Sequence, residues 1–263
     1  METIHSKMNL LVRHNIFLRT NQIQDKRPSI WLLHGFGDSG LAYKEVFDSP
    51  IAAEFNCYVV DLPGFGVSPV QPNAISIKAQ TDLLAEIIRE ETENQGRVSI
   101  VAHSLGGLIG TWVCKNLGER IQYYFNIEGN LTEADSYFSS KPLRFKTAQE
   151  FAKSFHDELF EKAKSQEQYK RYYSSVRFAD PEGMRNWSMT SQEHTKVNTC
   201  GHEFMELTCK KIYIWGDVDT PKETQNFILE NNIPNQLYKG VGHWHMVENA
   251  KQLYGDIHGM LAS

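Results

Sequence analysis

The chain has 263 residues, 41% hydrophobic and 22% charged, and a formal net charge of −5. That composition describes a globular protein long enough for one large core, and with no Lys/Arg stripe and a mild negative charge no nucleic-acid partner is expected. No apolar run nears the roughly twenty residues of a membrane span, and Met1-Glu2-Thr3-Ile4-His5-Ser6-Lys7 lacks a signal peptide's apolar stretch, so a cytoplasmic protein with no membrane partner is expected, as a monomer or small homo-oligomer. Cys57, Cys114, Cys200 and Cys209 show no CxxC spacing. Cys57 and Cys114 fall in a predicted strand and helix and read as buried free thiols.

Residues 8–20 alternate apolar and polar, which predicts an antiparallel ribbon turning near His14-Asn15. Apolar strands follow at 29–33, 57–61 and 97–102, with helical stretches between them. The helix over 76–93 starts at the N-cap Ser76 and turns Leu83, Leu84, Ile87 and Ile88 to one side. Strand and helix alternating in this way predict a mostly parallel sheet covered by helices on both faces.

A sixth strand is predicted from Ile121 to Ile127, and then the pattern changes. From 131 to 208 no buried strand is visible. Helix starts are signalled by Thr147-Ala148-Gln149-Glu150, by Asp180-Pro181 and by Thr190-Ser191-Gln192-Glu193. Aromatic residues are dense there, among them Tyr137, Phe138, Phe151, Phe155, Tyr172 and Trp187. The sheet resumes at Lys211-Ile212-Tyr213-Ile214-Trp215, followed by a helix over 221–231, a strand over 235–239 and a last helix over 247–261.

The most informative run is Val101-Ala102-His103-Ser104-Leu105-Gly106-Gly107. A β-branched strand precedes it, and an apolar helix from Leu105 to Leu117 follows, with Gly118 placed as a C-cap. A strand that becomes a helix within two residues strains the corner residue and lifts its side chain above the strand ends. Ala102 and Gly106 are the small neighbours such a corner needs. Ser104 is therefore the candidate nucleophile, and it needs an adjacent base.

With Ala102 in place of the first glycine of G-x-S-x-G, this elbow resembles that of the α/β-hydrolase superfamily. Three further regions resemble the same family in the same order. They are Trp31-Leu32-Leu33-His34-Gly35-Phe36-Gly37, Asp61-Leu62-Pro63-Gly64-Phe65-Gly66-Val67-Ser68, and the loops Gly216-Asp217-Val218-Asp219 and Gly240-Val241-Gly242-His243. The resemblance implies an eight-stranded, mostly parallel sheet formed by 1–130 and 209–263. It also implies a helical cap over 131–208, inserted after the sixth strand and lying over the site.

His243, after a strand and a Gly-x-Gly turn, is the candidate base; His34, His103, His194, His202 and His245 compete less well. The acid that orients the imidazole is Asp219, the last loop residue before a helix expected to start at Pro221 in Thr220-Pro221-Lys222-Glu223. Glu128, at the tip of the sixth strand, is the alternative acid, and Asp217 a more distant one. The backbone N–H groups of Phe36 and Leu105 are the candidate oxyanion donors, the second because it opens a helix.

Gly35-Phe36-Gly37-Asp38-Ser39-Gly40 also satisfies G-x-G-x-x-G, with Asp61 about 20 residues on, as in a dinucleotide fold. That reading leaves Ser104, Asp219 and His243 unexplained. No cofactor is expected, and no metal, since His243-x-His245 lacks a third ligand at a suitable spacing. The resemblance implies a serine hydrolase acting on a small, hydrophobic carboxylic ester through an acyl-enzyme. Thioester, amide and C–C bond cleavage remain open on the same triad, as does a ligand-binding receptor with residual hydrolysis.

Overall fold

A computed structural model describes residues 8–71 and 76–262; the reading of Met1 to Lys7 lies outside them. Eight strands form one sheet: β1 (Asn9–Arg13), β2 (Ile16–Thr20), β3 (Ser29–Leu33), β4 (Asn56–Asp61), β5 (Val98–His103), β6 (Ile121–Ile127), β7 (Lys210–Gly216) and β8 (Asn235–Tyr238). Their order across the sheet is β1-β2-β4-β3-β5-β6-β7-β8. β1–β2 and β2–β4 are antiparallel and every other pairing is parallel. The ribbon turns at His14 and Asn15, both at positive φ (49° and 63°), the backbone that a two-residue hairpin requires.

The helices are α1 (Pro50–Glu54), α2 (Ile77–Glu91), α3 (Leu105–Leu117), α4 (Ala148–Ala163), α5 (Glu167–Val176), α6 (Pro181–Thr195), α7 (Thr199–Glu206), α8 (Lys222–Glu230), α9 (His245–Glu248) and α10 (Ala250–Ala262). Every residue of β3, β4 and β5 is buried, as parallel strands covered on both faces must be. The Ser76 hydroxyl accepts from the Ala79 N–H and opens α2.

Two expected helix starts fall elsewhere. Thr190 does not begin a helix, because α6 runs unbroken through it and the Thr190 hydroxyl donates back to the Asn186 carbonyl at 3.0 Å. α8 begins one residue later than expected, with Pro221 as its N-cap. Thr220 does not cap it, because its hydroxyl points to Glu128 Oε1 and the Gly216 carbonyl, 2.6 Å from each.

Between β6 and β7 the chain forms α4 to α7 and short 3-10 turns, with no strand among the described residues. This helical segment lies against the carboxyl ends of the strands. Tyr172 donates to the Phe36 carbonyl at 2.8 Å, and Trp187 donates to the Pro63 carbonyl at 2.8 Å. Phe138, Phe151, Phe155 and Tyr172 form one aromatic cluster continuous with the core.

Candidate active site

Ser104 joins β5 to α3 at φ 53° and ψ −126°, a conformation costly for a residue with a Cβ. Its N–H donates to the Ile127 carbonyl at 3.0 Å, and its carbonyl accepts from the Gly107 N–H at 2.7 Å, so both neighbours hold the corner. Space around it is rationed by small residues. A Cβ on Gly106 would lie 2.5 Å from the His34 and Leu33 carbonyl oxygens, and one on Gly35 would lie 2.8 Å from the Ser104 Cβ. The methyl group of Ala102, one carbon more than the usual glycine, is accommodated one turn into α3. There a Cβ on Gly110 would meet it at 2.9 Å.

His243 and Ser104 line one small cavity of about 10 Å³, room for a single water. Its other walls include Gly35, Phe36 and Asp38 from the loop after β3, and Phe138 and Tyr172 from the helical segment. A vestibule of about 210 Å³, lined by Tyr137, Phe138, Lys141, Lys162, Tyr169, Asp219, His243 and Trp244, abuts it. Phe138, His243 and Trp244 border both spaces.

The loop that carries His243 is pinned at three consecutive N–H groups. Glu248 accepts from Gly242 and Trp244 at 3.0 Å each, and Asp219 accepts from His243 at 2.9 Å. Asp219, expected from the sequence to hold the ring, thus meets His243 at the main chain. Facing ring nitrogen Nδ1 instead is Glu128, with Oε2 3.8 Å away, and Tyr137, whose hydroxyl makes a 2.8 Å hydrogen bond to it. Asp217 accepts from the Gly240 N–H at 2.7 Å, out at the surface, and holds the turn after β8.

Glu128 sits at φ 49° at the end of β6, a bend that turns its side chain into the interior. Its Oε1 accepts from the Gly216 N–H and the Thr220 hydroxyl, both at 2.6 Å, and has His245 Nε2 at 3.5 Å, which leaves Oε2 toward His243. Burial alone would raise this carboxyl, but the two imidazoles beside it, His243 and His245, outweigh it and hold the group down at about 2. The site therefore contains a carboxylate that stays ionised at any working pH.

The remaining histidines have structural duties. His34 Nε2 accepts from the Leu62 N–H at 2.9 Å and its Nδ1–H donates to the Gly35 carbonyl at 2.8 Å, which clamps the loop bearing Phe36 onto the end of β4. Burial lowers its pKa to about 4, so it is neutral in that clamp. His103 lines the same cavity as Ser104, and its Nε2–H donates to the His243 carbonyl at 2.9 Å. His194 packs on Trp112 and His202 on Phe227. Leu105 is the first residue of α3, so its N–H has no acceptor within the helix, and Phe36 borders the cavity beside Ser104.

Asp61, the acidic residue of the dinucleotide-like pattern, is fully engaged. It accepts from Arg19 at 2.5 and 3.2 Å, from the Gly40 N–H at 2.7 Å and from the Val67 N–H at 2.9 Å, and so ties three segments together. No carboxylate is left there for a ribose.

A family model for the alpha/beta hydrolase fold matches residues 28–250. The chain belongs to this family. It is 26% identical over 117 residues to the pimeloyl-acyl-carrier-protein methyl ester esterase of Vibrio parahaemolyticus, which covers 44% of this chain and 41% of the relative. To the like-named esterase of Chromobacterium violaceum it is 33% identical over 103 residues, 39% of this chain and 36% of the relative. The chain thus spans about two fifths of the curated relatives it matches. An esterase from Exiguobacterium antarcticum superposes with a TM-score of 0.76 at 14% identity, over 98% of this chain and 100% of that one. A thermophilic esterase from Thermogutta terrifontis gives 0.72 at 18% identity, over 97% and 98%. At those identities the structural likeness establishes the fold. Among the described residues no helix is long and apolar enough to cross a membrane.

Sequence reasoning missed Tyr137 and Glu248 as neighbours of His243. Tyr137 is one of many aromatics in its segment, with no local pattern to distinguish it. The five-residue spacing from His243 to Glu248 is a usable signal, since it returns a carboxylate to the start of its own turn.

Proposed function

We propose that this protein is a serine hydrolase that cleaves a small, hydrophobic carboxylic ester through an acyl-enzyme. The observation that carries this reading is a strained serine sharing an aromatic-walled cavity with a histidine whose Nδ1 faces a buried carboxylate. The esterases among its sequence relatives support ester cleavage over the other reactions such a site could perform. The vestibule supports a small substrate, and its aromatic walls a hydrophobic one.

In this mechanism Ser104 Oγ attacks the acyl carbon while His243 Nε2 takes its proton. Negative charge collects on the former carbonyl oxygen, where the N–H groups of Phe36 and Leu105 are the donors. The alcohol departs with the proton from His243. A water then gives a proton to His243 and attacks the acyl carbon, and the acid leaves as Ser104 is restored. Glu128 is the acid of this triad and Asp219 the anchor of its loop.

The test is Ser104→Ala assayed on p-nitrophenyl butyrate, with a fluorophosphonate probe applied to the parent protein. Activity is expected to fall at least about 1000-fold, and the probe to label Ser104. An alanine variant that turns over at the parent rate would refute the assignment. Stoichiometric labelling without turnover of any ester would point to a receptor instead.

A further inference from the structure

His243 Nδ1 has its short hydrogen bond to a phenol. The Tyr137 hydroxyl lies 2.8 Å away, whereas the nearest oxygen of Glu128 is at 3.8 Å. We infer that Tyr137 is a positioning residue for the catalytic base: it accepts the Nδ1–H of His243 and so keeps Nε2 free to receive the Ser104 proton, while Glu128 stabilises the charged ring from a distance. The inference rests on the hydrolase reading above and adds a fourth side chain to its machinery.

Two arguments support the direction of that hydrogen bond, and one observation fixes its place. First, the opposite polarity, with the phenol donating to Nδ1, would place the ring proton on Nε2 and leave the base unable to take a proton from serine. Second, the Glu128 carboxylate on the Nδ1 side is ionised, and its charge favours a proton on that nitrogen. Third, Tyr137 is held still. It ends the short 3-10 turn Glu133–Tyr137, whose Asp135 accepts from the Leu131 and Thr132 N–H groups at 2.8 Å and from the Thr224 hydroxyl at 2.6 Å. That network bolts the start of the helical segment to α8, so the phenol oxygen is a fixed point. Burial, then the charges of Glu128, Asp219 and Asp135, push the phenol's own ionisation well above its usual range, so it is neutral throughout.

The groups around His243 come from every side. They are Glu128 from β6, His103 from β5 with its ring 4.5 Å away centre to centre, and Asp219 from the loop after β7. His245 lies beyond Glu128, and Lys141 and Lys162 across the vestibule share the Glu158 carboxylate. Tyr137 alone among them places a hydroxyl on Nδ1.

The experiment is Tyr137→Phe, which keeps the ring and removes the acceptor, together with nitrogen-15 NMR of the histidine tautomers. In the parent protein His243 is expected as the Nδ1–H tautomer. In the variant the tautomers are expected to mix, kcat to fall about 10- to 100-fold with KM little changed, and the acidic limb of kcat/KM to move to lower pH because the charged ring has lost a partner. A parent protein with His243 protonated at Nε2, or a variant with unchanged tautomer, kcat and pH profile, overturns the inference. The NMR measurement on the parent needs neither the variant nor turnover, and a proton found on Nε2 overturns the inference even if Ser104 proves not to be a nucleophile; the variant then separates Tyr137 from Glu128, which favours the same tautomer.

Discussion

Replacing Glu128 and Asp219 in turn by their amides separates the two carboxylates by role. In Glu128→Gln, the Gly216 N–H and Thr220 hydroxyl keep the amide oxygen where Oε1 stood, since both need an acceptor. The amide nitrogen then falls at the Oε2 position and presents hydrogens to the Nδ1–H of His243. The lost attraction follows from the 3.8 Å separation: unit charges at that distance, at an effective dielectric near 20, interact by about 4 kcal/mol. That energy stabilises the charged ring formed as serine attacks, so kcat is expected to fall about 1000-fold. In Asp219→Asn the amide oxygen can still accept from the His243 N–H, so the loop is kept and the loss should stay under about tenfold. Steady-state hydrolysis of p-nitrophenyl butyrate, at a temperature where circular dichroism shows both variants folded, measures the pair. A thousandfold loss in Asp219→Asn beside a tenfold loss in Glu128→Gln would refute the assignment of Glu128.

The Asp38 carboxyl, in the cavity wall, is raised to about 6, chiefly by burial. Because that folded value lies above the unfolded 3.8, its contribution to stability is fullest below about pH 4 and declines, by about 3 kcal/mol, as pH rises through 6. Asp38→Asn removes that decline, so urea unfolding should show the variant gaining on the parent between pH 4 and 7; a difference that stays flat across the range would contradict it. Gly110→Ala should cost about 1–3 kcal/mol by overpacking against the Ala102 methyl and Tyr124, both 2.9 Å from the new carbon. Adding Ala102→Gly should restore part of it, and a double variant no more stable than the single one would show that the two sites are not compensating.

Much of the fold was legible because hydrophobic period and turn chemistry are local. The alternation over 8–20 and the αL-tolerant His14-Asn15 pair specify the ribbon, and the fully apolar runs of β3 to β5 specify buried parallel strands. The elbow was legible for the same reason: strand, small residues and helix adjoin in seven positions. Thr190 and Thr220 misled because a hydroxyl that reads as a cap can serve a tertiary or back-bonding partner just as well.

The identity of the acid is a different kind of problem. The Gly216-to-Asp219 spacing correctly brings a carboxylate to His243, but spacing along one loop says nothing of which atom of the histidine it will meet. Three sets of contacts decide that question here. Glu248 and Asp219 occupy the main chain of the histidine turn, Thr220 and Gly216 orient Glu128 from β7 and beyond, and Tyr137 arrives from the helical segment. A carboxylate at the tip of β6 becomes the ring's neighbour because its other oxygen is already held by two donors 88 and 92 positions downstream. The candidate nucleophile is written in one stretch of sequence; the carboxylate proposed as its acid is placed by how four stretches pack.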